Sequence, residues 1–223
     1  MRSEENEGRG TSVILNLGDA LEKVPRSHKA LITPAIREAF RDPLAYFGRI
    51  ADRCPFPNMK AWLDALVAGG LWDLALHQGS PREYTDAGFR WWPEGVACAE
   101  ITPPSGQVPP GLPATLRTYY SLVDKVGWMP FGCAGGLGGA GGHGSIAPFY
   151  LENSGLDVDP SQVHAFGSSL GGDMLIYTHH DRGGWLCHEN GHVHLLGTVA
   201  ETIDWVYAEL LADRSPDFDY RWL

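Results

Sequence analysis

The order of its segments places this chain in the α+β class. Three observations carry that expectation. Apolar residues recur at helical spacing between residues 33 and 74, short β-rich runs separated by turn residues fill the last third, and an amphipathic helix with its own cap follows them.

From the start, Met1 to Gly10 is polar and of mixed charge, unlike a secretory signal, and reads as a disordered tail. Thr33-Pro34 combines an N-cap residue with proline at the first helical position, so a helix is predicted to run to about Phe40. Asp42-Pro43 interrupts it, and Leu44 to Ala51 resumes it. Cys54-Pro55-Phe56-Pro57 forms a rigid connector. Asn58 is then expected to cap a helix whose buried stripe is Met59, Trp62, Leu63, Leu66, Val67 and Leu74, with Gly69-Gly70 kinking it near the middle.

Phe89 to Ile101 reads as a strand or hairpin turning at Pro93-Glu94-Gly95. Its adjacent Trp91 and Trp92 face opposite sides of any strand, so one suits the core and the other a partner. Pro103 to Gly111 is rich in proline and glycine and reads as a linker, dividing residues 1–105, a tail and mainly helical extension, from a main domain of residues 106–223.

Leu112-Pro113 opens the next helix, with Leu116, Tyr119, Tyr120 and Val123 on one face. Gly132 to Gly144 is more than half glycine and reads as a mobile loop. Short strands follow at Val163 to Phe166 and Asp173 to Thr178, then a hairpin from Trp185-Leu186-Cys187 to Val193-Leu196. Thr198 and Glu201 make a capping box for a helix burying Val199, Ile203, Val206, Leu210 and Leu211. Phe218, Tyr220 and Trp222 alternate in the tail as an extended strand would.

Composition narrows the function classes. Hydrophobic residues make up 43% of 223 and charged residues 20%, ordinary for a globular protein, and no apolar run approaches the roughly 18 residues of a membrane helix. Cys54, Cys98, Cys133 and Cys187 form no C-x-x-C pair, which argues against a zinc knuckle and suits a reducing cytoplasm. The net charge of −10 is lopsided: residues 152–223 hold twelve acids against three arginines, a balance of −9, leaving −1 for the rest. Such a field repels nucleic acid and steers a basic protein partner; equally, it can serve as a solvated face that keeps the protein soluble.

Several strings look catalytic, and their context decides what each can do. His188-Glu189-Asn190-Gly191-His192 matches H-E-x-x-H, but zinc peptidases need that string on a helix, and Asn-Gly is a strong two-residue hairpin signal. Gly136-Leu137-Gly138-Gly139-Ala140-Gly141 matches G-x-G-x-x-G, yet His143-Gly144-Ser145-Ile146-Ala147-Pro148 does not look like the helix a dinucleotide site requires. Gly167-Ser168-Ser169-Leu170-Gly171 likewise lacks the helix of a nucleophile elbow. His179-His180-Asp181 lies close in sequence to His188, His192 and His194, and hairpin geometry could bring some of them together. His192 and His194 would share one strand face, a spacing that can take up a metal adventitiously. No residue is assigned a catalytic, cofactor or metal role.

Leu112-Pro113, Tyr119-Tyr120, a glycine-rich turn, strands around Gly171-Gly172-Asp173 and a closing amphipathic helix, in that order, resemble the SUKH superfamily over about residues 112–212. That group includes bacterial immunity proteins and the yeast cell-wall synthesis regulator. Its Asn-Gly-Gly turn is replaced here by a longer glycine tract. The resemblance implies a twisted antiparallel sheet flanked by helices, and a non-enzymatic protein that neutralises a toxin by binding it. The expected partner is a basic toxin domain, with no nucleic acid and no membrane. Trp91, Trp92, Asp157, Asp159 and Asp181 are the expected partner-facing residues, an aromatic anchor with acids around it. The alternatives are a zinc-dependent hydrolase using His188, Glu189 and His192, and a regulatory scaffold in cell-wall control.

Overall fold

The computed structural model describes residues 2–4, 11–69, 71–79, 86–92, 99–127, 136–146, 151, 159–168, 172–187 and 189–212. Among them the architecture is α+β, an antiparallel sheet with five α-helices. In chain order the elements are β1 (Arg2–Glu4), β2 (Thr11–Asn16), α1 (Pro34–Arg41), α2 (Pro43–Arg53), α3 (Pro57–Ala68), β3 (Leu71–Gln78), β4 (Asp86–Trp92) and β5 (Ala99–Thr102). Then come α4 (Ala114–Tyr120), β6 (Lys125–Gly127), β7 (Gly136–Leu137), β8 (Gly144–Ser145), β9 (Val163–Ser168), β10 (Met174–Thr178), β11 (Arg182–Leu186), β12 (Val193–Thr198) and α5 (Val199–Leu211). Strands lie side by side in sequence order, except that β7 and β8 both pair with β9.

The first 105 residues carry strands as well as helices, β1 to β5 beside α1, α2 and α3. β2 buries Val13 and Leu15 and β3 buries Trp72, Leu74 and Leu76, the period-2 alternation of a strand with one face inward. α3 therefore stops at Ala68, before Gly70, instead of kinking there, and Leu74 belongs to β3. The sheet continues across residues 105 and 106, where β5 pairs with β6 through Glu100–Gly127, Ile101–Val126 and Thr102–Lys125. One buried cluster runs from Val13 to Tyr207 and takes in all five α-helices.

The caps explain where the helices begin. Thr33 Oγ1 accepts from the Ile36 N–H and Asp42 Oδ1 from the Ala45 N–H, as their positions before Pro34 and Pro43 predict. α3 differs: Asn58 lies inside the helix, and the cap is supplied from α5. Asp204 accepts from the Asn58 N–H at 2.7 Å, the Asn58 side-chain amide at 2.9 Å and the Met59 N–H at 3.4 Å. α5 carries the complete capping box of Thr198 and Glu201. It buries Val199, Thr202, Ile203, Val206, Tyr207 and Glu209, whereas Leu211, expected inside, is 41% exposed.

The glycine tract is pinned where it is described, not a free loop. β7 and β8 lie in line along one edge of β9, and the segment between them is held at three points. Gly138 N–H donates to Phe166 O, Tyr120 Oη donates to Gly138 O at 3.0 Å, and Ala140 N–H donates to Asp124 Oδ1 at 2.8 Å. Gly136 has φ of 155°, and a Cβ there would run into Val126 O, so the close approach of β6 and β7 excludes side chains.

Candidate functional site

Two groups of histidines in the C-terminal half of the sheet are the candidates for chemistry. The first lies on the hairpin joining β11 to β12. The strands pair from Leu186–Val193 to Arg182–Thr198, so the H-E-x-x-H string spans a bend between antiparallel strands. Cys187 N–H donates to His192 O and Gly191 N–H donates to Cys187 O, which closes a four-residue loop, longer than the two-residue turn expected from Asn190-Gly191. Gly191 takes the left-handed conformation (φ 72°), and Asn190 Oδ1 accepts from the His192 N–H. His188 lies outside the described residues. Glu189 is exposed, and residues 189–192 are not helical, so the face a zinc peptidase needs is not formed there. His192 sits in the loop while His194 lies on β12 and stacks on Trp185 across the ladder, ring centres 4.5 Å apart. Burial, then the neighbouring His192, lowers the pKa of His194.

The second group was not assembled from the sequence. On β9 and β10, His164 pairs with Tyr177, and the two rings stack at 5.3 Å and 27°. Tyr177 also meets Phe166 and His143 edge-on, and His143 stands edge-on to Tyr120. Both ring nitrogens of His143 are enclosed among these aromatic faces and find no hydrogen-bond partner. Burial, reinforced by His164, pushes its pKa down to about 4. His164 is lowered too, by burial and then by His179, whose ring lies edge-on to it. The group is thus an aromatic cage that favours neutral imidazole.

A buried frame holds this region against the helices. Tyr119 on α4 and Tyr207 on α5 meet hydroxyl to hydroxyl at 3.0 Å, both fully buried, and burial keeps both phenols protonated. Asp173, just before β10, is completely buried, and Gly183 and Gly184 on β11 are buried too. A Cβ on Gly184 would strike His194 O, so β12 can lie close only because that position is glycine.

The expected partner-facing residues are scattered. Trp91 and Trp92 lie on β4, paired opposite Trp72 and Leu71 of β3, in the interior of the sheet order; their side chains lie outside what is described. Asp157 also lies outside the described residues. Asp159 is exposed and accepts from the Ser161 N–H at the start of a short 3-10 turn, which lowers its pKa. Asp181 is a turn residue with φ of 55°; its carbonyl accepts from the Val199 N–H and its carboxylate from the Thr115 hydroxyl. It therefore joins the β10–β11 turn to α4 and α5.

Ser168 ends β9, and residues 169–171 lie outside the described set. Cys54 and Cys187 are unpaired and half-buried. Among the described residues no group of three or more His, Cys, Asp or Glu side chains is arranged to hold a metal ion, and no helix is long and apolar enough to cross a membrane. No family model, curated protein or solved structure matches the chain.

Proposed function

We propose that the chain is a protein-binding module of the SUKH type, an immunity protein that neutralises a basic bacterial toxin domain by occluding it. The observation that carries this reading is the meeting of the ordered motif residues on one core. Leu112 precedes α4 and is buried, Tyr119 and Tyr120 are buried on it, and α5 joins the same cluster through Tyr207, while Asp173 is buried before β10. Residues that keep the family's order and share a folding role support a family reading better than the same residues in sequence alone.

The charge supports the partner. Residues 152–223 carry −9, and Asp159, Glu189 and Glu201 are exposed among them. A nucleic-acid-cleaving toxin is expected to be basic, and an acidic face both speeds its capture and competes with its substrate. Of the five expected contact residues, Asp159 suits this role best, since Asp181 is engaged in the frame. The reading requires no catalytic group.

The test is co-expression with the product of the adjacent toxin gene. Rescue of growth and a co-purifying complex are the expected results, with association slowed several-fold between low and high salt. Growth arrest without complex formation rejects the proposal.

A further inference from the structure

The histidine pair across β9 and β10 has a geometry that neither the core nor the proposed partner surface explains. The ladder sets His164 opposite Tyr177, and His179 follows Tyr177 by two residues, so His164 and His179 are diagonal neighbours on one face. Their Nε2 atoms stand 3.4 Å apart, with ring centres at 5.2 Å and planes at 74°. That separation is at the long end for a hydrogen bond between two ring nitrogens. Two imidazole nitrogens each about 2.0–2.1 Å from a tetrahedral ion lie about 3.4 Å apart, with ring centres about 5 Å apart.

We infer that His164 and His179 form a two-imidazole site for a transition-metal dication of the zinc type, with solvent completing the coordination. Only two protein donors are offered, because no third His, Cys, Asp or Glu joins them among the described residues. The site is therefore open and exchangeable, unlike the closed four-ligand arrangement of structural zinc. His164 is held in place by its stack on buried Tyr177, while His179 is exposed and can turn toward an arriving ion.

The site is distinct from the H-E-x-x-H string on the β11–β12 hairpin, and the experiment separates the two. Zinc chloride is titrated into the untagged full chain at pH 7.5 by calorimetry, and cobalt(II) replaces zinc for visible spectroscopy. One ion per chain is expected, with a cobalt band in the visible region. His179→Gln should weaken uptake at least tenfold, and because His179 is exposed this variant should keep the parent's circular dichroism. His164→Gln should act alike, whereas His192→Gln should leave uptake unchanged. Absence of zinc uptake by the parent overturns the assignment, as does uptake that survives His179→Gln and is lost with His192→Gln.

Discussion

α3 and α5 begin in opposite ways. α5 is capped by residues next to it in sequence, Thr198 and Glu201, while α3 is capped by Asp204, a residue 146 positions away from Asn58. The histidines divide along the same line. The H-E-x-x-H string is a feature of neighbours in sequence and forms a hairpin, whereas the pair His164–His179 and the enclosed His143 exist only because strands align. What the chain does locally and what it does through assembly are thus separable.

The sharpest test of that division is Asp204→Ala. It removes a charged acceptor from two N–H groups and one side-chain amide at a helix start, in a half-buried place where water cannot fully replace it. The expected cost is about 2–3 kcal/mol, near 4–12 °C in Tm for a chain of this size. Thermal melts check it, and a loss no larger than that of a local cap variant breaks the comparison.

Acid should weaken the assembled histidine cage next. In the unfolded chain the imidazole of His143 binds its proton near pH 6.5, but in the cage, faced by Tyr120, Tyr177 and His164, only near 4. Between those values the unfolded chain holds more protons, so stability is whole above about pH 6.5 and declines as pH falls toward 4. Allowing for the ring's partial exposure, the expected loss is about 1–2 kcal/mol. His143→Phe removes the titrating group and should flatten the fall in Tm between pH 7 and 5. Equal slopes in parent and variant would show that other groups set the acid limb.

These contrasts explain what was legible in the sequence. Local chemistry was: Thr33 and Asp42 before prolines, the Thr198–Glu201 box, the hairpin at Asn190-Gly191 and strands β9 to β12 all rest on neighbours within a few residues. β3 was hidden because it follows α3 with only Gly69 and Gly70 between, so Leu74 fitted the helical stripe as well as a strand. The candidate site escaped for a different reason. His164 and Tyr177 are thirteen residues apart, and only the register, with its irregularity between Leu175 and Ile176, decides that His179 meets His164. A hint was present in the alternation Tyr177, His179 and His164, Phe166, each pair sharing a strand face. The expected contact residue Asp181 shows the converse: a polar residue near a turn read as partner surface, yet its positive φ and its bonds to Val199 and Thr115 make it part of the frame.

The smallest effect is expected from the local cap itself. Thr198→Ala removes the hydroxyl that accepts from the Glu201 N–H and leaves that donor to solvent, because Thr198 is exposed. The helix then loses two exposed hydrogen bonds, the one the hydroxyl accepts and the one it donates to Glu201 Oε2, and keeps its packing through Val199, Ile203 and Val206, so the cost should be about 1 kcal/mol, below that of Asp204→Ala. The reciprocal half of the box adds a pH signature. Glu201 accepts from the Thr198 N–H and hydroxyl, and the backbone bond in particular lowers its pKa. A carboxylate held below its unfolded value stabilises the fold above that value and loses the effect as pH falls through the folded one. The gap in Tm between parent and Thr198→Ala should therefore be present at pH 7 and narrow on acidification below about pH 4. A gap that stays constant down to pH 3 would mean that the threonine acts through its own hydroxyl alone and that the two halves of the box are uncoupled.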